Sequence, residues 1–166
     1  MAARRSGSGC EGLSLCGLVT LRAGGLDDPV RRFEDLRQPL PDQLGEQVHA
    51  WFTRQDWLRA NADDRLLTAR LRAADGLRLR QEAARGPDGW EVQRQLLVAT
   101  GGLRWVEEVD PVTLTLIGGC DGSAPLGDQL ALLAAAHGVQ QDLLAEVALP
   151  LVTHLVERGM LLPAAG

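Results

Sequence analysis

The stretch LRLRQEAARGPDGWEVQRQLLVAT, residues 77–100, constrains the fold more than any other part of the chain. Leu77 and Leu79 alternate with Arg78 and Arg80, the period of two that a strand with one wet face requires. GPDG, with Pro87 and Gly89, supplies a tight turn, and WEVQRQLLVAT and LRWVEEV then continue as second and third strands. A chain that writes such a meander must hold a small antiparallel sheet, and what flanks it decides the fold class.

The flanks read as helices. After Pro41, Asp42 is a candidate N-cap, and in QLGEQVHAWFTRQDWLRA the side chains of Leu44, Val48, Trp51 and Phe52 share a stripe with Trp57 near its end. DDRLLTARLRAA is expected to form a second short helix, with Leu66, Leu67 and Leu71 inward and Arg65 and Arg72 outward. Beyond the meander, DPVTLTLIGG opens with Asp110 as cap and Pro111 at the first helical position. LGDQLALLAAAHG follows, with Leu126, Leu130 and Leu133 inward and Gly138 as its stop. VQQDLLAEVALPLVTHLVERG is the third of this set, its stripe expected at Leu144, Val147, Leu151 and Leu155, with Pro150 kinking or dividing it. MLLP reads as a closing strand. The fold class expected is α+β: a small antiparallel meander with helices and a winged-helix-like unit at the carboxy-terminal end. Ahead of it all, LSLCGLVTLR and VRRFEDLR on either side of AGGLDDP read as a β-hairpin.

An apolar fraction of 45% over 166 residues suffices for a buried core. No apolar run approaches the roughly 18 to 20 residues needed to cross a bilayer, so no membrane span is expected. All 17 basic residues are Arg, and Tyr is absent. The codon bias this implies, that of a GC-rich bacterial genome, weakens any functional reading of Arg over Lys. The net charge of −5 hides a polarity. Residues 54–104 carry ten Arg against seven acids, +3, whereas residues 105–166 carry Arg158 alone against eight acids, −7. Three cysteines without CxxC spacing, Cys10, Cys16 and Cys120, suit a reducing cytoplasm better than a disulfide framework.

Several short motifs invite chemistry. GSGCEG, residues 7–12, fits G-x-G-x-x-G by letter, but no strand precedes it and a strand rather than a helix follows, so it is not a cofactor loop. LSLCG lacks the small residue and the long apolar segment of a lipoprotein signal. In GGCDGSAPLG, Cys120 beside Asp121 suggests a nucleophile, or a metal ligand with His137 and His154. Neither histidine has recognisable spacing to it, and the stretch reads as a connector in which Asp121 and Gly122 make a turn. His154, next to the Leu155 stripe, reads as a partly buried structural histidine, and His49 as a solvent-facing helix residue. Arg78, Arg80 and Arg104 share the wet face of the meander and are the candidate contact for a polyanion or substrate. Duplex DNA is an improbable partner, because the helix in the recognition position offers Asp142, Glu146 and Glu157 against Arg158.

The stretches GLVTLRAGGLDDPVRRFEDLRQPLPDQLGEQVHAWFTRQDWLRA, LRWVEEVDPVTLTLIGGCDGSAPLGDQLALLAAAHG and LPLVTHLVERGMLLP together resemble the carboxy-terminal part of actinobacterial class I S-adenosylmethionine-dependent methyltransferases, akin to the small-domain and protein-glutamine N5 enzymes. The resemblance runs from about Glu11 onward. It implies that residues 1–37 hold the last hairpin of a Rossmann-like catalytic sheet, that residues 38–109 are helices plus meander, and that residues 110–166 are the winged-helix-like unit. The family's glycine-rich cofactor loop, ribose-binding acid and Asn-Pro-Pro-aromatic motif are not in this chain; its one Asn, Asn61, is followed by Ala62. No catalytic, cofactor-binding or metal residue is therefore carried over, and no cofactor is expected here, although S-adenosylmethionine serves the parent family. The function implied is that of an accessory region, for substrate recognition or for stability, inactive as an isolated chain. Its expected partners are a catalytic methyltransferase domain or a second copy, joined through residues 13–37. The alternative is a free-standing winged-helix-like module for a protein or RNA partner.

Overall fold

A computed structural model describes residues 43–62 and 64–164 and, by backbone alone, residues 16–22 and 30–36. The GSGCEG stretch, Leu13–Leu15 and the expected Asp42 cap lie outside the described residues. The chain divides into two compact units, residues 1–40 and 41–166. In the first, β1 (Cys16–Arg22) and β2 (Val30–Leu36) pair antiparallel, with Cys16 opposite Leu36 and Arg22 opposite Val30.

The second unit is α+β, as the residue patterns predict. Its meander consists of β4 (Leu77–Gly86), β5 (Gly89–Ala99) and β6 (Val106–Glu108), in that order and antiparallel throughout. A second sheet has the order β7-β3-β8, with β3 (Arg70–Ala73) between β7 (Asp121–Pro125) and β8 (Leu161–Pro163). The helices are α1 (Leu44–Ala60), α2 (Asp64–Thr68), α3 (Pro111–Gly119), α4 (Leu126–His137) and α5 (Gln141–Glu157).

The second sheet corrects two expectations. DDRLLTARLRAA is not one helix: it stops at Thr68, and Leu71 and Arg72 belong to β3. Local periodicity loses because the backbone of this segment is claimed from both sides. Ala73 N–H donates to the Cys120 carbonyl at 2.7 Å, and Ala164 N–H donates to the Arg70 carbonyl at 2.9 Å. GGCDGSAPLG likewise does more than connect, since Asp121–Pro125 is the edge strand β7, set against β3.

Helix ends follow the local chemistry. Asp110 caps α3, its carboxylate accepting from Thr113 N–H at 2.8 Å and from the Thr113 hydroxyl at 2.9 Å, with Pro111 just inside the helix. The bond from Thr113 N–H, above all, holds the Asp110 carboxyl below its usual range. Gly138 ends α4 in the left-handed region, φ 66°, and its N–H returns to the last turn. At the other end of α4, a side chain on Gly127 would sit 3.2 Å from the Leu67 carbonyl oxygen, so glycine lets the helix start close against α2.

α5 departs from expectation in two ways. It runs undivided through Pro150. Pro150 and Glu146 are both exposed, so the Glu146 carbonyl that loses its helical donor lies on a solvated turn. The buried stripe is also rotated from the one expected: Ala148, Val152, Leu155 and Val156 are inside, while Val147 is 73% exposed. The core of the unit gathers Leu71, Leu126, Leu130, Val152, Leu155, Met160 and Leu161, all fully buried.

Candidate functional site

The meander projects rather than lying flat. Every residue from Arg78 to Arg85 is exposed, and so are Trp90 to Arg94 on the returning strand, so the outer part of the β4–β5 hairpin is wet on both faces. This corrects the expectation of one wet face. Among the described residues no helix covers the outer strands, whereas Leu96 and Leu97 at their base are buried. A bulge at Glu82/Ala83 breaks the register there, leaving Gln93 as the extra residue.

The two faces of this arm differ. Cross-strand partners share a face, so Leu79 opposite Leu97, Ala83 opposite Val92 and Arg85 opposite Trp90 line one side. That side is mixed, with Gln81 opposite Gln95 between the two apolar pairs, and it ends in Trp90, which is 76% exposed, with Leu79 and Val92 about half exposed. The other side carries Arg78, Arg80 and Glu82, with Arg94 opposite Glu82 and bound to Glu108 at 2.8 Å. The structure thus brings Arg78 and Arg80 together on one face but not Arg104. Arg104 precedes β6 in a turn at φ 53°, its N–H donating to the Gly101 carbonyl.

The base of the arm is tied to α5 by one carboxylate. Glu107 on β6 forms an ion pair with Arg158 Nη1 at 2.6 Å and faces His154 Nε2 at 3.2 Å. The Arg158 guanidinium also stacks over the Trp105 ring, 4.1 Å from its centroid. His154 is therefore a structural partner of Glu107, and Arg158 is held between Glu107 and Trp105, with its Nε buried and without a hydrogen-bond partner. Nearby, a cavity of about 200 Å³ is lined by Trp51, Arg54, Asp75, Trp105 and Arg158. Arg54 is engaged too, its Nε donating to the Glu157 carbonyl at 3.2 Å.

Cys120 is sealed. Only 2% of it is exposed, and its Sγ lies 3.4 Å from Gln129 Oε1, the thiol donating. Burial, with a smaller contribution from the Asp121 charge, pushes the thiol up to about 11. A thiol so protonated and so enclosed is a poor nucleophile. His49 and His137 are exposed on their helices. Among the described residues no group of three or more His, Cys, Asp or Glu is arranged to hold a metal ion, and no helix is long and apolar enough to cross a membrane.

Sequence reasoning overlooked Trp90, the most exposed of the large apolar side chains among the described residues. Its signal was present, a tryptophan placed directly after a GPDG turn, where packing is least able to cover it. Residues 49–163 match the model of a domain of unknown function, DUF7782. No curated protein matches the chain.

Proposed function

We propose, from the premise that the chain belongs to the DUF7782 family, that it is the recognition part of a cytoplasmic S-adenosylmethionine-dependent methyltransferase system and not its catalytic part. The observation that carries this reading is the arm: a hairpin wet on both faces, with Trp90 at 76% exposure near its end. A folded unit rarely exposes a large aromatic on a projecting strand unless something else covers it. Opposite this, Cys120, the one cysteine whose side chain is described, is enclosed and protonated, and GSGCEG lacks the sequence context of a phosphate loop. The resemblance to the carboxy-terminal region of class I methyltransferases supplies the enzyme with which such a recognition part would work.

The helical unit fits this reading as a winged-helix relative. α3, α4 and α5 take the three helical places, β7 and β8 take two strand places, and β3 fills the middle of the sheet from upstream of the first helix. α5 would be the recognition helix, and it exposes Asp142 and Glu146 beside Leu143 and Val147. That surface repels phosphate and suits protein.

Two experiments test the proposal. Titration of the chain with S-adenosylmethionine should give no saturable heat at millimolar ligand, a binding free energy weaker than about −4 kcal/mol. Micromolar affinity, lost on changing Gly7 and Gly9 to Ala, would sink it. A photoreactive residue at position 90 should crosslink, in the source cells, to a methyltransferase catalytic domain or to its substrate. In that complex Trp90→Ala should weaken binding by about tenfold or more, the effect of removing an aromatic anchor. Replacing Arg78, Arg80 and Arg104 together with Gln should chiefly flatten its salt dependence. If the Arg replacement abolishes binding and Trp90→Ala does not, the arm reads a polyanion and the Trp90 face has no part in recognition.

A further inference from the structure

β4 is open along one edge. It stands first in the order β4-β5-β6, and every residue from Arg78 to Arg85 is exposed. Which of its backbone groups are free follows from the bonds the sheet does make. Ala99 N–H donates to the Trp105 carbonyl and Val109 N–H to the Gln95 carbonyl, so the odd-numbered residues at the base of β5 bond towards β6. Thr100 N–H donates to the Gly76 carbonyl, which sets the even-numbered residues of β4 towards β5: Arg78 with Val98, Arg80 with Leu96, Glu82 with Arg94. The N–H and C=O groups of Leu77, Leu79, Gln81, Ala83 and Arg85 therefore turn outward, to no strand among the described residues.

Most devices that protect such an edge are missing from this one. β4 contains no Pro and no Lys. The bulge at Glu82/Ala83 is carried by β5, as the extra Gln93, so β4 itself runs on unbroken. β6 pairs only with Leu96, Leu97 and Val98, and beyond them the arm is a two-stranded ribbon, which alone is marginal in water.

Charge is the device that remains, and its order along β4 favours one arrangement. LRLRQEAAR is complementary to its own reverse about Gln81. A second β4, antiparallel about a two-fold axis at Gln81, puts Arg80 of each copy opposite Glu82 of the other, and Leu79 opposite Ala83. Moving the axis by one residue sets Arg80 against Arg80 or Glu82 against Glu82. Neither side chain has an ion pair among the described residues. The outward backbone groups are also the ones this axis matches: Gln81 with Gln81, Leu79 with Ala83, Leu77 with Arg85. On the other face it lines up Leu97 and Leu79 of one copy with Ala83 and Val92 of the second, adjoining side chains that stand 47% exposed at Leu79 and 51% at Val92 in the single chain.

We infer that two copies of this chain join edge to edge through β4, with the two-fold axis at Gln81, so that two three-stranded sheets become one. The contact is separate from residues 13–37. Edge pairing adds neighbours in the plane of the sheet and covers neither face, so the inference stands whether or not the Trp90 face recognises a methyltransferase or its substrate.

The test is sedimentation equilibrium of the full chain under reducing conditions, with circular dichroism to check each variant's fold. The unaltered chain should dimerise. Arg80→Glu sets carboxylates against one another across the axis and Glu82→Arg sets guanidiniums against one another, so either alone should weaken the dimer by about tenfold or more. An equal mixture of these two single variants should form a mixed dimer about as tight as the original, and both changes in one chain should restore self-association. Gln81→Pro removes an outward N–H without touching a bond to β5, so the fold should survive and the dimer should not. A chain that stays monomeric up to about 100 μM overturns the inference. So does a dimer indifferent to the single charge reversals and to Gln81→Pro, which would place self-association elsewhere in the chain, and so does a failure of the mixed single variants to pair.

Discussion

Leu71→Ala is expected to lower the free energy of unfolding by about 3 kcal/mol, within the range for truncating a fully buried leucine. Val147→Ala is expected to change it by less than about 0.5 kcal/mol, as exposed substitutions do. Leu71 has no exposed surface and lies on β3, the middle strand of a sheet bonded on both sides. Removing three of its carbons leaves a void that the flanking strands cannot close, because β7 and β8 are held to β3 by backbone bonds at Ala73 and Ala164. Against a typical total of about 5–15 kcal/mol the loss is severe. Val147 is 73% exposed on α5, and alanine there trades a little apolar contact for better helix propensity. Urea unfolding of the two variants decides the matter. A large cost at Val147 and a small one at Leu71 would restore the helix periodicity read from residues 64–73 and 141–157 and overturn the packing of both elements.

That pair of residues also marks what the sequence could and could not disclose. Elements whose signals are local were legible: the Asp110 cap with Pro111, the Gly138 stop, and the alternation and turn of β4 and β5. Where two apolar stripes share one helix, as on α5, the sequence cannot say which one meets the core. That depends on where α3 and α4 stand. β3 was hidden for a similar reason. Four residues between a short helix and a turn carry little periodicity, and only pairing with strands about 50 and 90 residues further along makes them a strand. The candidate site was half legible. Arg78 and Arg80 do share a face, by simple alternation. Arg104 does not, because the strand that was expected to include it begins later, at Val106. The projection of the arm, which makes Trp90 the more informative residue, is a property of what fails to cover it.

Cys120 yields the second large effect, because the chain is unusually quiet in alkali. It has no Tyr and no Lys, so between pH 9 and 11 its cysteines are the side chains that titrate. With Cys10 and Cys16 changed to Ser, Cys120 alone remains. Burial first, and the Asp121 charge second, raise its thiol from 9.0 to about 11. Below pH 9 the thiol is protonated whether the chain is folded or not, and it leaves stability unchanged. Above pH 9 the unfolded chain releases the proton while the folded chain keeps it, so stability falls with pH, and the fall levels off once pH passes the folded value near 11. Two pKa units correspond to about 2–3 kcal/mol. Urea midpoints of the Cys10→Ser, Cys16→Ser chain should therefore drop steeply between pH 9 and 11, and adding Cys120→Ala should flatten the profile, whatever cavity cost it imposes at pH 7. In the native state at pH 8 the thiolate is only about 0.1% of the total and is enclosed as well, so iodoacetamide should label Cys120 at the rate of unfolding rather than at the rate of a free thiol. Rapid labelling of the folded chain, or a flat profile with Cys120 in place, would mean that this cysteine is open to solvent and that a nucleophilic role for it must be reconsidered.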